Sequence, residues 1–422
     1  MLEKILFLGK KIIPKKIFLF AQPAYHYTLA FLAALWYRFP SRNIFVVVIT
    51  GTKGKTTTTE IINAILEEAG FATALASTLR FKIGDESLNN TYKMTTPGRF
   101  FIQRFLRNAV EKKCDYAILE ITSEAARQYR HKFISFDALV FTNLSPEHIE
   151  SHGSYEKYVH AKLSIAQAVA KSSKQKTFII SNIDDKEGAR FLDVPVKETF
   201  PYSLSDAKPL LLKKEGLSLT FQGVSIASRL SGEFNVYNIL AGATFAQSQH
   251  ISTSIIKKAI ESFTGVAGRM EFINEGQDFT VIVDYAHTAD SLEKVYEVFG
   301  NSKKICVLGS AGGGRDTWKR KEMGGVADRH CSEIILTNED PYDEDPEAIV
   351  RAVAEGIIQP YSIIMNRREA IRTALSRAKT GDTVLITGKG TDPYIMGPND
   401  TKEPWNDAET TREELRNTLG SL

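Results

Sequence analysis

Between Gly51 and Thr56 the chain reads Gly-Thr-Lys-Gly-Lys-Thr, and Thr57 and Thr58 follow. These residue types at this spacing suit one task, which is holding phosphate. Gly51 and Gly54 let the backbone curl until its N–H groups point at one spot. Thr52 and Lys53 lie between them. Lys55 can reach the β- and γ-phosphates of a nucleotide, and the Thr56 hydroxyl can sit on Mg²⁺. The task also needs a strand before the loop and a helix after it. Phe45 to Ile49 is an apolar, β-branched run with the character of a buried strand. Ile61, Ile62, Ile65 and Leu66 share one face of the expected helix, which closes at Gly70. The N-terminus of that helix adds partial positive charge where the phosphates would lie.

Further chemistry-bearing side chains fall at the ends of expected strands. Asp115 to Ser123 reads as a strand ending at Glu120. In open α/β sheets ligands collect at the carboxyl ends of strands, which is where Glu120 would be. Ala138 to His152 is a strand and its exit loop, with His148 in the loop. A solvent-facing loop histidine is the competing reading for His148. Lys162 falls on a helix. Asn182, Asp184 and Asp185 close the strand Thr177 to Ile180. Residues 200–230 read as short strands, and a helix runs from Gly232 to about Gln249. Thr280 to Asp284, Lys304 to Leu308, Glu333 to Leu336 and Thr383 to Thr387 continue the alternation of strand and helix. A charged tail helix starts at Asp407.

The general phosphate loop has four residues between its first Gly and the Gly-Lys pair. Here there are two. This shortened loop resembles that of the Mur ligase family, ATP-dependent enzymes that join an amino acid to a carboxylate, mostly in peptidoglycan precursor synthesis. Other segments resemble the family in the same order. They are Thr95-Thr96-Pro97; Thr142-Asn143-Leu144-Ser145-Pro146-Glu147-His148; Gly232-Glu233-Phe234-Asn235-Val236-Tyr237-Asn238; Gly268-Arg269-Met270-Glu271; Asp284-Tyr285-Ala286-His287-Thr288; and Gly312 to Arg320. The resemblance covers residues 44 to about 395 and is closest to the tripeptide synthetases.

The resemblance implies roles residue by residue. Thr56 and Glu120 would hold one Mg²⁺, and His148 with a carbamylated Lys162 a second. An unmodified Lys162 would instead be a plain phosphate partner. Asn235 and Asn238 would lie near the adenine, although helix capping is the competing explanation for Asn235. Arg269 would contact phosphate, and His287 would sit in the catalytic site. Thr95, Thr96, Ser123 and Arg130 would face the acceptor, and Arg315 the α-carboxylate of the incoming amino acid. Glu339, Asp340, Tyr342, Lys389 and Asp392 would line the side-chain end of that amino acid. Diaminopimelate-adding relatives carry Asp-Asn-Pro-Arg where this chain has Glu339-Asp340-Pro341-Tyr342. The missing Arg and the added acid lead to an expectation of lysine or ornithine over diaminopimelate.

The implied fold is α/β. A central P-loop-type ATPase domain with a mostly parallel sheet spans 44–268, and a Rossmann-like α/β domain spans 269–422. Residues 1–43 are a short helical segment, too few for a full α/β domain. Peptidoglycan-type relatives usually have a larger domain there. The implied cofactors are ATP and Mg²⁺, and the implied partners are small molecules. Rival readings are a folylpolyglutamate synthetase, the ligase-like subunit of an amidotransferase, and a P-loop NTPase switch. The folate enzymes tend to read Gly-Lys-Gly-Ser where this chain has Gly-Lys-Thr-Thr, and the amidotransferase subunit usually carries a four-cysteine zinc ribbon.

Composition sets outer bounds. The 422 residues suffice for two or three domains, and a net charge of +3 gives no global case for nucleic acid. Cys114, Cys306 and Cys331 are scattered without a CxxC, which argues against a disulfide framework and fits a reducing cytoplasm. Ile17 to Tyr37 has no formal charge and is long enough to span a bilayer. Gln22, Pro23 and His26 interrupt it, so a helix over Tyr25 to Tyr37 is expected, packed on the protein or lying on a membrane surface.

Overall fold

The computed structural model describes residues 15–419 except His148 and Arg315, with side chains from residue 21 onward. The expectations for His148 and Arg315 therefore lie outside the described residues.

The first sheet has eight strands: β1 Phe45–Thr50, β2 Thr73–Ala76, β3 Arg80–Ile83, β4 Glu86–Asn89, β5 Tyr116–Glu120, β6 Ala138–Phe141, β7 Phe178–Asn182 and β8 Glu198–Tyr202. Their order is β4-β3-β2-β5-β1-β6-β7-β8. Pairing is parallel from β2 through β8, and only β3 and β4 run antiparallel. The continuous apolar runs follow from this layout, because helices cover both faces. Val47 and Ile49 point into one core and Val46 and Val48 into the other. The helix Lys55–Glu68 buries Ile61, Ile62, Ile65 and Leu66, as its spacing predicts, and packs against the helix Glu233–Ser248. Truncating Leu66, which is fully buried, would cost about 2–5 kcal/mol.

A three-stranded antiparallel sheet follows, formed by β9 Leu210–Leu212, β10 Leu217–Phe221 and β11 Val224–Ser228. The third sheet contains β12 Glu271–Phe272, β13 Thr280–Asp284, β14 Lys304–Leu308, β15 Glu333–Leu336, β16 Ser362–Ile363 and β17 Thr383–Thr387. Its order is β12-β13-β17-β14-β15-β16, parallel except for β12. It too has an apolar core on each face. A hairpin of β18 Tyr394–Met396 and β19 Lys402–Pro404 precedes the final helix Asp407–Leu419.

Two expectations need correction, and one competing explanation is removed. The N-terminal helix spans Lys15–Trp36, with Pro23 inside it rather than at its edge. A proline in a helix interior costs one hydrogen bond. Cys306 and Cys331 are bonded as a disulfide, their Cα atoms 6.1 Å apart, although 25 residues separate them in the chain. Cys306 lies on β14 and Cys331 closes the helix Lys319–His330 that packs on it, so the fold supplies a proximity that spacing does not show. Cys114 is free and buried. Asn235 does not cap its helix, because Gly232 occupies that position. No helix among the described residues is long and apolar enough to cross a membrane.

Candidate active site

The carboxyl ends of β5, β1 and β6 are neighbours in the first sheet, so three chain exits converge on one rim. The ends of β13, β17, β14 and β15 do the same in the third sheet. The two rims face each other across a cleft of about 2120 Å³.

The phosphate loop leaves β1 and opens the helix Lys55–Glu68. Neighbouring chain hems it in on both sides. The Lys53 N–H donates to Asn143 Oδ1 at 2.9 Å, and Thr142 Oγ1 donates to the Lys53 carbonyl at 2.8 Å. A Cβ at Gly51 would lie 1.9 Å from Thr142 Oγ1. Gly54 has φ +79°, and a Cβ there would lie 2.2 Å from Asn238 Oδ1. Only glycine fits either place. Lys55 Nζ turns back to the carbonyls of Gly51 and Thr52, at 3.0 and 2.9 Å. It is stored over the loop, and burial lowers its pKa.

Glu120 ends β5 beside the loop. Its Oε2 accepts from Thr56 Oγ1 at 3.3 Å and Thr78 Oγ1 at 3.0 Å. Its Oε1 is buried without a hydrogen-bond partner. Burial raises its pKa, and Lys55 opposes that. A buried, half-satisfied carboxylate next to a threonine hydroxyl suits a hard divalent cation, which takes oxygen ligands. The residues present therefore fit Mg²⁺ at the position expected for Thr56 and Glu120.

Lys162 is 2% exposed on the helix Tyr155–Ala170. Its Nζ donates to the Gly51 carbonyl at 2.6 Å and lies 4.9 Å from the centre of the Tyr158 ring. The Tyr158 hydroxyl is in turn 2.9 Å from Thr52 Oγ1. Among the described residues no carboxylate forms a salt bridge with Lys162. Burial first, then Lys55, pushes its pKa well below the usual lysine value.

The third sheet contributes Arg269 and His287. The Arg269 guanidinium lies 3.9 Å from the centre of the Tyr285 ring, which sets its direction into the cleft. His287 Nδ1 donates to the Tyr285 carbonyl at 2.7 Å. Burial, then Lys53, lowers the His287 pKa to about 4. The contact with Glu147 acts in the opposite direction without overcoming burial. Glu147 Oε1 lies 2.9 Å from Lys53 Nζ and 3.3 Å from His287 Nε2, so it bridges the phosphate loop and the opposite rim. The sequence places Glu147 beside His148 and gives it no role.

The expected acceptor residues also gather here. Thr95 Oγ1 is 2.9 Å from Thr78 Oγ1, and Thr96 Oγ1 donates to the Glu120 carbonyl at 2.9 Å. Ser123 Oγ is 3.1 Å from His152 Nε2, and Arg130 bonds the Thr96 carbonyl and Gln128 Oε1. Asn235 and Asn238 are bonded to each other at 2.9 Å and line the cleft beside Gly54. Asn182, Asp184 and Asp185 serve the scaffold. Asp185 accepts from the Leu144 N–H, and Asp184 from Tyr237.

Two of the three expected acids, Asp340 and Asp392, are already paired with lysines. Asp340 accepts from Lys389 Nζ at 2.8 Å, Lys93 Nζ at 2.9 Å and the Met396 N–H at 2.8 Å. Asp392 lies 3.3 Å from Lys93 and 3.6 Å from Lys389. Glu339 is buried, and Lys389 and Arg367 oppose the rise that burial causes in its pKa. Two lysines thus occupy two of the acids expected to receive a cationic substrate group, which leaves Glu339, whose Oε2 is buried without a hydrogen-bond partner, to carry the charge argument for lysine or ornithine. Lys93 was invisible to that argument, because it belongs to the first sheet's side, two residues before Thr95. Tyr342 sits at the same mouth with φ 52°.

Comparison with known proteins gives the same picture. The Mur ligase middle domain family matches residues 49–246, and the Mur ligase glutamate ligase domain family matches residues 268–390. The chain is 38% identical over 417 residues to the UDP-N-acetylmuramoyl-L-alanyl-D-glutamate–2,6-diaminopimelate ligase of Syntrophomonas wolfei, covering 95% of this chain and 84% of the relative. It is 38% identical over 416 residues to the UDP-N-acetylmuramyl-tripeptide synthetase of a Roseiflexus species, covering 92% and 81%. Among solved structures, a UDP-N-acetylmuramoyl-L-alanyl-D-glutamate–2,6-diaminopimelate ligase superposes with a TM-score of 0.61 at 27% identity, over 89% of this chain and 79% of the other.

Proposed function

The chain belongs to the Mur ligase family, and from that premise we propose that it is an ATP-dependent, ADP-forming ligase. It joins an amino acid to the carboxylate of a UDP-N-acetylmuramoyl-peptide-like acceptor, the reaction of peptidoglycan precursor assembly in the cytoplasm. The observation that carries this reading is the meeting, at the phosphate loop, of the half-satisfied Glu120 beside Thr56 and the buried Lys162 on the Gly51 carbonyl. We divide the chain into the segment 1–43, an ATP-binding unit 44–268 and a closing unit 269–422.

The acceptor carboxylate attacks the γ-phosphorus of ATP, the bond to the β-phosphate oxygen breaks, and an acyl-phosphate and ADP form. The amine of the amino acid then attacks the acyl carbon. Phosphate leaves with the bonding pair, the amine loses a proton, and an amide results. The protein's work is positioning and charge compensation. Lys55 supplies positive charge once phosphates draw it off the Gly51 and Thr52 carbonyls. Thr56 and Glu120 would hold one Mg²⁺, and His148 with Lys162 as a carbamate would hold another. These ions supply charge neutralisation between two anions that otherwise repel. The neutral form of a lysine is the one that adds CO₂, releasing a proton as its carbamate forms, and burial favours that form at Lys162. Arg269 and His287 enter from the opposite rim, so the site is complete only when the two rims meet, which also excludes water from the acyl-phosphate.

That two-sided construction favours a ligase over a nucleotide switch, which needs no second rim. The test is release of ADP and phosphate from ATP and Mg²⁺ across a panel of acceptors and amino acids. Release that requires both a UDP-N-acetylmuramoyl-dipeptide and an amino acid supports the reading. Acceptor-independent hydrolysis, or a requirement for a folate acceptor, refutes it.

A further inference from the structure

The helix Lys15–Trp36 is turned inside out relative to an ordinary surface helix. In its last two turns the small residues face the protein: Ala30, Ala33 and Ala34 are at most 2% exposed, whereas Ala21 and Ala24 near its start are exposed. Its large apolar residues face outward, with Trp36 at 77% exposure and Tyr25, Leu32 and Leu35 between 42% and 52%. Tyr25, Leu32 and Trp36 are seven and four residues apart, which sets them on one face. Tyr27 and Phe31 pack edge-on to Phe133 and hold the helix down, their ring centres 4.9 and 5.3 Å from that ring. Contiguous exposed apolar side chains of this size mark an interaction surface.

The charge of this part of the sequence points to what covers the face. Residues 1–43 contain seven Lys and Arg and a single acidic residue, Glu3, a net charge of +6. The whole chain carries +3, so the remaining residues carry −3. Lys4, Lys10, Lys11, Lys15 and Lys16 precede the exposed face, and Arg38 and Arg42 follow it. An apolar stripe with Trp and Tyr, flanked by cations and free of acids, is complementary to an anionic lipid surface. A second copy of the chain is the poorer occupant, because two +6 segments would be brought together.

We infer that this helix and its basic flanks dock the protein on the surface of an anionic bilayer, lying along it without crossing it. The protein body replaces the polar face of an ordinary interfacial helix. The docking face is tied to the cleft wall. Arg99 Nη2 bonds His26 Nδ1 on the helix and the carbonyl of Gln128, which lines the cleft. This inference is independent of the ligase reading.

The experiment is flotation of the full chain with vesicles of phosphatidylcholine alone and with phosphatidylglycerol added. Analytical ultracentrifugation of the chain without lipid accompanies it. Selective flotation with the anionic vesicles is expected, weakened at least about tenfold by Leu32→Ser, Leu35→Ser and Trp36→Ser combined. Lys10→Gln, Lys11→Gln, Lys15→Gln and Lys16→Gln combined should weaken it by a similar factor at physiological salt, because each cation near the surface contributes. All the substituted apolar residues are exposed, and an unchanged thermal unfolding midpoint checks that the fold persists. Failure to float with anionic vesicles, equal flotation with neutral ones, or flotation indifferent to both variants overturns the inference. A chain that self-associates through this face, and becomes monomeric on Trp36→Ser, overturns it in favour of a second copy.

Discussion

Lys93 and Asp340 lie 247 residues apart in the chain and 2.9 Å apart in the structure, joining the loop before the Thr95-Thr96 turn to the rim of the third sheet. Burial pushes the Asp340 pKa up, but Lys389 and Lys93 together outweigh it and hold the carboxyl below its usual value. The sign follows from linkage. A carboxyl with a lowered pKa stabilises the closed arrangement above its ordinary value of 3.8, and loses that contribution as pH falls through the lower value. At neutral pH the contact is fully present.

This contact makes Lys93 a determinant of amino-acid choice. Replacing it by methionine leaves Asp340 and Asp392 to Lys389 alone, which makes the pocket more negative. Lys93→Met should therefore raise kcat/KM for lysine relative to meso-diaminopimelate by roughly tenfold. Competition between the two amino acids with one acceptor measures it. A ratio unmoved from the parent's would mean that the lysine–aspartate cluster lies off the path of the substrate side chain.

Lys55 is stored on carbonyls of its own loop, so its removal should leave the fold intact while taking charge from the transferring phosphoryl group. Lys55→Ala should lower acceptor-dependent ADP formation by about a hundredfold or more. Thermal unfolding should change little, since the Gly51 carbonyl keeps Lys162 as a donor and Thr52 lines the cleft. Near-normal turnover would remove the phosphate-site assignment.

Lys162 permits a pH test. Its pKa is lowered, so the neutral amine is present at lower pH than for an ordinary lysine, and acid reprotonates it and drives off CO₂. Activity should fall as the solution is acidified, and added bicarbonate should move that fall to lower pH. Lys162→Ala should lose about a hundredfold in rate and recover part of it with short-chain carboxylates that fill the same space. An intact-protein mass without any CO₂ adduct after trapping, together with no rescue, would leave Lys162 as a plain phosphate partner.

The legible part of the molecule is the part governed by local pattern. The strand β1, the turn at Gly54 and the buried stripe Ile61, Ile62, Ile65, Leu66 are set within 26 residues, and they appear where the periodicity puts them. Glu120 at a strand end is legible for the same reason. Partners brought together by the packing of one sheet on another are not. Nothing near Lys53 signals that Glu147 bridges it to His287. Nothing near Asp340 signals that two lysines meet there. The charge argument about substrate counted the acids of two segments, 339–340 and 392, and missed Lys93, which reaches them from a third. The Cys306–Cys331 pair has the same origin.

The least legible support of the site is also the most testable by stability. Arg367 and Asp407 form a wholly buried two-pronged ion pair, with Nε to Oδ1 at 2.7 Å and Nη2 to Oδ2 at 2.6 Å. Trp405 Nε1 also donates to Asp407 Oδ1 at 2.7 Å, and Arg367 donates to the carbonyls of Asn338 and Thr387. These two carbonyls immediately precede Glu339 and Gly388, so the pair fixes the two strand ends that present Glu339 and Lys389 to the cleft. Asp407 also opens the final helix, which the pair pins to the sheet. Removing one partner strands the other charge in the interior, where the loss exceeds the net worth of the intact pair. Asp407→Ala should therefore cost about 3–5 kcal/mol in urea unfolding. Replacing both partners by apolar residues, as in Arg367→Met with Asp407→Leu, should recover part of that stability. It should not recover ligase activity, because the Asn338 and Thr387 carbonyls lose their common donor and the cleft residues beside them lose their alignment. A double variant with both stability and activity restored would show that the pair serves folding alone.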